Sequence, residues 1–258
     1  MEKIFSILIF CCLLSNCSDD DQATMATTST TLASKPEANS LFDNSHKGIY
    51  KGIVIGNTSG VLYVDLYNDD KIWAKFQTEN NETYILENVP ILGGDGKDIL
   101  PIYRYHFAND NISFEIQLNE SGGVIATSNF NFYSSINSKI CLIKEKSNSL
   151  VKCYTGRFES QDESGNVNFT TDGELKVKGL SKEFNSRDFI DINGEIKLFS
   201  PTDEISTAKD NRNPFTQYQL NANLHIGQIT GLMEKNKFNG NWTYADSNFG
   251  IWNATRIL

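Results

Sequence analysis

Ile112, Phe114, Ile116 and Leu118 alternate with Ser113, Glu115, Gln117 and Asn119, and this period-two pattern recurs from Gly48 to the end of the chain. Successive side chains of a strand point to opposite faces, so such a run buries one face and wets the other. An amphipathic helix would need apolar residues every three or four positions, and that spacing is hard to find here. Clusters of Gly, Asn, Asp and Ser separate the runs, which is the signature of antiparallel hairpins. Leu62, Val64 and Leu66 lead through Asn68-Asp69-Asp70 into Ile72, Ala74 and Phe76, and read as a hairpin with one buried face. Beyond Leu118, Glu120-Ser121-Gly122-Gly123 turns the chain into the segment Val124 to Tyr133. The expected fold is all-β and antiparallel over residues 48–258, as one strongly bent or barrel-like sheet. The alternative is two small β-subdomains, because Gly48-Ile49-Tyr50-Lys51-Gly52, Cys153-Tyr154-Thr155-Gly156-Arg157-Phe158 and Phe238-Asn239-Gly240-Asn241-Trp242 echo one another.

Turn chemistry suggests particular registers. A three-residue loop with Gly173 at positive φ sets Phe169 opposite Leu175 and Val167 opposite Val177, keeping one face apolar. A turn at Asp246-Ser247-Asn248 would bring Trp242 opposite Trp252 and Gly240 opposite Ala254, a cross-strand aromatic pair.

With 258 residues, a net charge of −9 and 39% hydrophobic residues, the chain has the composition of a globular protein. The acidic balance, with no run of Lys or Arg among its 23 basic residues, argues against nucleic acid as a partner. Only three His occur, His46, His106 and His225, none with His, Cys or carboxylate at metal-ligand spacing, so no metal site is expected. The chain has no Gly-x-Ser-x-Gly elbow, no phosphate-cradling Gly-Lys-Ser/Thr loop and no Gly-x-Gly-x-x-Gly after a strand, so no cofactor is expected either. Gly93-Gly94-Asp95-Gly96-Lys97-Asp98 has the Gly and Asp density of a calcium loop but lacks its alternating ligands and closing Glu. The excursion from Ser200 to Pro214 is long enough for a binding loop. Glu115, Asp191 and Glu195 are candidates for a carboxylate pair, and Trp73, Tyr103, Tyr105, Trp242 and Trp252 for a pocket or a sugar-stacking face.

The amino terminus carries an address. After Lys3, an apolar run from Ile4 to Leu14 is too short to span a bilayer, which takes about 20 residues, and reads as a secretory leader over residues 1–16. Leu14-Ser15-Asn16-Cys17 resembles the lipobox of bacterial lipoproteins, with Asn16 in place of the usual small residue. That resemblance implies lipidation of Cys17, and several acyl chains at about 0.8 kcal/mol per buried methylene hold a protein firmly on a membrane. Ser18-Asp19-Asp20-Asp21 resembles the acidic export signal of Bacteroidota lipoproteins, implying display on the outer face of the outer membrane, with the periplasmic face as the alternative. The Ser-, Thr- and Ala-rich stretch that follows makes residues 17–47 a flexible linker.

Cys141 and Cys153 remain in the mature part. A hairpin centred on Ser147 would set them opposite each other, and outside the cytoplasm such a pair reads as a disulfide; the alternative is two buried free thiols. Gly48-Ile49-Tyr50, with Gly250-Ile251-Trp252 and Arg256 near the end, resembles the Gly-x-Trp and late Arg of lipocalin-like barrels, which implies a barrel. Together these features lead to the expectation of a non-enzymatic, lipid-anchored envelope or surface protein that binds a protein, glycan or small apolar ligand. The alternative is a surface glycan hydrolase with carboxylates drawn from distant strands.

Overall fold

The computed structural model describes residues 32–90, 101–128, 130–133, 135, 137–199, 217–224, 227–244 and 248–258. The described chain is all-β and antiparallel, as expected, but its strands form two sheets rather than one. The first contains β1 (Gly48–Gly56), β2 (Gly60–Leu66), β3 (Ile72–Thr78), β4 (Thr83–Val89), β5 (Tyr103–Ala108), β6 (Ile112–Leu118), β7 (Val124–Thr127), β8 (Asn131–Phe132) and β9 (Ser138–Lys144). Its order is β7-β6-β5-β4-β3-β2-β1-β9, with β8 on β6. Its two ends approach, and the Phe130 N–H donates to the Ser138 carbonyl at 3.2 Å. The second contains β10 (Lys152–Glu159), β11 (Ser164–Thr171), β12 (Lys176–Glu183), β13 (Ile190–Phe199), β14 (Gln217–Leu224), β15 (Gly227–Glu234), β16 (Lys237–Tyr244) and β17 (Asn248–Arg256). These eight strands pair in sequence order and close into a barrel.

Each sheet rolls around its own apolar core. In the first, Tyr50, Leu62, Val64, Phe76, Phe107 and Phe114 fill the inside. The alternation read at 112–118 is borne out, every second residue of β6 being buried. In the barrel, Tyr154, Phe169, Phe238 and Trp252 pack inside. Ile192 and Ile196 of β13 are buried, while Asn193, Glu195 and Lys197 between and after them are exposed. Apolar inside and polar outside is the reverse of a membrane-spanning barrel.

The hairpin of β2 and β3 forms with Leu66 opposite Ile72, as expected, but β2 is buried along its whole length. Val61 and Tyr63 face the barrel instead of water, in a third apolar cluster that joins Ile49, Ile53 and Ile55 to Val151, Cys153 and Leu180, and Asp65 is buried as well. Asn168 of β11 bridges this seam, its amide donating to the Val54 carbonyl at 2.8 Å and to Ser59 Oγ at 2.7 Å.

Burial pushes the Asp65 carboxyl up to about 6, although its Oδ1 accepts from the Asn68 N–H at 2.7 Å. An unfolded aspartate titrates near 3.9, so this group favours folding only while protonated, and its contribution is lost as pH rises from about 4 to about 6. Asp65→Asn keeps an acceptor for Asn68 and removes the ionisation. Its thermal midpoint should exceed the wild type's at neutral pH, with the difference closing near pH 4; a midpoint at or below wild type at neutral pH would refute this account.

Both proposed registers are corrected. Thr171 lies opposite Val177 and Phe169 opposite Gly179, and Leu175 rather than Gly173 takes positive φ, at 61°. Asp172 Oδ1 accepts from the N–H groups of Glu174 and Lys176, which fixes the longer turn. Trp242 lies opposite Gly250 and Trp252 opposite Gly240. In each case the structure sets a ring against a glycine, and a Cβ on Gly179 would stand 2.5 Å from Phe169 Cβ.

The proposed Cys141–Cys153 hairpin does not form. Cys141 pairs with Ile53 and Cys153 with Thr170, in different sheets, and both sulfurs are free thiols. β9 pairs with β1, and after Lys144 the chain crosses from sheet to barrel. Burial pushes the Cys141 thiol up to about 11 and the Cys153 thiol further, leaving both as packed, unreactive side chains.

Residues 33–47, assigned by composition to the linker, pack on the domain. Lys144 Nζ donates to the carbonyls of Phe42 and Ser45, and Asp43 accepts from the N–H and hydroxyl of Ser147 at 2.8 and 2.7 Å. Arg256 donates to the Ala33 carbonyl. A 3-10 turn at Ser40–Phe42 is capped by Asn39 Oδ1, which accepts from the Leu41 N–H at 3.0 Å. The halves of the lipocalin-like motif also separate, since Gly48-Ile49-Tyr50 lies in the first sheet and Trp252 with Arg256 in the barrel.

Candidate functional site: a tryptophan-lined cavity in the barrel

The barrel interior is filled unevenly. Toward the end where Tyr154 stands, rings crowd together: Tyr154 stacks on Phe169 at 4.9 Å and meets Phe238 edge-on at 5.2 Å. At the other end a cavity of about 190 Å³ remains, walled by Phe158, Val167, Ile190, Ile229, Trp242 and Trp252. Strand alternation places these walls, because each comes from an inward position of its strand. Phe158 meets Trp242 edge-on at 5.5 Å. Trp252 donates its indole N–H to the Thr230 carbonyl at 2.9 Å. Trp242 is 5% exposed, and its indole N–H has no hydrogen-bond partner among the described residues.

The mouth is polar and acidic. Glu163 comes from the turn between β10 and β11, Ser181 and Glu183 from β12, and Ser186 and Asp188 from the connection to β13. Among the described residues, no Lys or Arg lines the cavity. The nearest buried cation, Lys182, sits on the opposite face of β12 and donates to the Glu183 and Ser186 carbonyls. A second, mostly polar groove of about 370 Å³ lies where sheet and barrel meet, lined by Asn57, Thr58, Glu79, Asn80, Asn166 and Lys182 among others.

Of the residues singled out in the sequence, Trp242 and Trp252 reach the cavity; the others do not. Trp73 packs on Tyr63 at 5.3 Å, and Tyr103 stacks on His46 at 3.5 Å. Burial holds the His46 imidazole below its usual range, consistent with a packed, neutral ring. His106 pairs across β5 and β6 with Glu115, which keeps Glu115 far in the topology from Asp191 and Glu195 on the outer face of β13. Among the described residues, no three His, Cys, Asp or Glu converge as a metal site, and no helix is long and apolar enough to cross a membrane. Cys17, Ser18, Asp19, Asp20, Asp21, His225 and the loops 93–98 and 200–214 lie outside the described residues. The sequence reading missed the acidic mouth, because Glu163, Glu183 and Asp188 come together only when three consecutive strands curve around the barrel; their place at strand ends was the signal available.

The fold and site thus define a water-compatible eight-stranded antiparallel barrel with a small aromatic cavity, backed by a second rolled sheet. Comparison with protein-family models, with curated proteins and with solved structures gave no match to the chain.

Proposed function

We propose that this protein is a lipid-anchored envelope protein, held through Cys17 and carried to the cell surface by Ser18-Asp19-Asp20-Asp21, that binds a small ligand in the barrel without transforming it. The observation that carries the binding reading is the cavity itself: largely apolar, aromatic and open at one end. The anchor reading rests on the short apolar leader ending at a Cys that an acidic triplet follows. A cavity at one end of a folded unit, joined to a membrane by a polar segment, suits capture of a solute near the cell envelope.

Cys17→Ala should move the protein from the membrane to the soluble fraction, and continued membrane retention would overturn the anchor. Replacing Asp19, Asp20 and Asp21 with Ala should keep the anchor but abolish cleavage by protease added to intact cells. If the wild type also resists that protease, the protein faces the periplasm.

A further inference from the structure

We infer that the barrel cavity selects a small organic cation: an ammonium group on a compact apolar body. This deepens the binding reading above and rests on it. Three features of the one cavity point to the same ligand. The first is charge. Glu163, Glu183 and Asp188 stand at the mouth, and among the described residues neither Lys nor Arg lines the space. Low-dielectric walls beneath a ring of one sign focus its field into the opening, so a cation is drawn in and an anion is turned away. The second is the wall. Trp242, Trp252 and Phe158 offer aromatic surface, and an ammonium is attracted to such rings, most strongly to indole, where water is excluded. The third is size, since about 190 Å³ falls below the span of roughly 300 to 1,000 Å³ that drug-sized ligands occupy.

Lys182 does not neutralise the mouth from inside. Its ammonium is held on the outer face of β12 by the carbonyls of Glu183 and Ser186 and lies 5.8 Å from the Phe189 ring.

The test compares isosteric probes by calorimetry on the full chain, purified without detergent as its Cys17→Ala variant. Choline carries the charge, 3,3-dimethylbutan-1-ol has the same shape without it, and 3,3-dimethylbutyrate reverses it. Choline should bind about 10-fold more tightly than the alcohol, and the acid should not bind. Glu183→Gln with Asp188→Asn, both at the mouth and away from the packed core, should cut choline affinity about 5-fold and leave the alcohol unchanged. Trp242→Phe should weaken choline by about 5-fold and the alcohol by less, because indole attracts an ammonium more strongly than a phenyl ring does. Circular dichroism identifies any variant that fails to fold, and the probe comparison on the unmutated cavity does not depend on the variants. If the alcohol matches or exceeds choline, the cation inference is overturned while small-ligand binding stands. If none of the three binds at millimolar concentration, the cavity reading falls with it.

Discussion

Lys51→Ala should destabilise the folded unit by about 3 to 5 kcal/mol. The Lys51 side chain is fully buried, and its Nζ lies 2.8 Å from Glu145 Oε2 and 2.6 Å from Glu37 Oε2. Glu145 is equally buried, and its two oxygens also accept from the backbone N–H groups of Glu37 and Val151, at 2.7 and 2.9 Å. Three stretches of chain therefore meet on one ion pair: the segment before β1, β1 itself, and the crossing from sheet to barrel. Without Lys51, the Glu145 carboxylate stays buried in the seam with the more distant Arg256 as its counter-charge, and that poorly compensated charge, more than the lost attraction, is the source of the penalty. The Glu37 contact adds less, because its side chain is 47% exposed and water screens it. Combining Lys51→Met with Glu145→Gln removes both charges and keeps an acceptor at 145, so it should recover most of the loss. Guanidinium unfolding followed by tryptophan fluorescence measures both; a loss below about 1 kcal/mol for Lys51→Ala would show that water reaches the pair.

Gly240→Val should have an effect of similar size, about 2 to 4 kcal/mol, by a different route. A Cβ at position 240 would stand 1.9 Å from the Thr230 carbonyl oxygen and 2.5 Å from the Gly231 Cα, both backbone atoms that no rotamer change can move. Gly240 also lies opposite Trp252, whose ring packs inside the barrel and walls the cavity. The side chain would force β15 and β16 apart where the barrel bends, so hydrogen exchange should rise first in those two strands. Protection unchanged from wild type would mean that the strands part without cost and that the glycine is not needed for closure.

These substitutions mark where sequence reasoning works and where it stops. The strands at 60–66, 72–78 and 112–118 were legible because apolar alternation states which side chains share a face. The registers of the two barrel hairpins were not, though their inward residues were. A shift by two or four residues leaves the same side chains inside, so the hydrophobic pattern is silent among such registers. What decides is steric: Phe169, Trp242 and Trp252 each need a glycine across the ladder, and Gly179, Gly250 and Gly240 provide it. The cavity was half legible, through its two tryptophans; the acidic mouth was not, because its members are neighbours only around a closed barrel.

By itself, the sequence determined an antiparallel all-β chain and the parity of its most regular strands, together with the acidic stretch Asp19-Asp20-Asp21. Those are local properties, set by period-two burial and by composition. The tertiary structure alone decided that the strands divide into a rolled sheet and a closed barrel, and that Val61, Tyr63 and Asp65 are covered. It also decided that residues 33–47 join the fold and that Cys141 and Cys153 lie in different sheets as free thiols. Each of these depends on which distant surface lies against a strand, and a face that reads as wet in isolation becomes a core when a second layer packs over it.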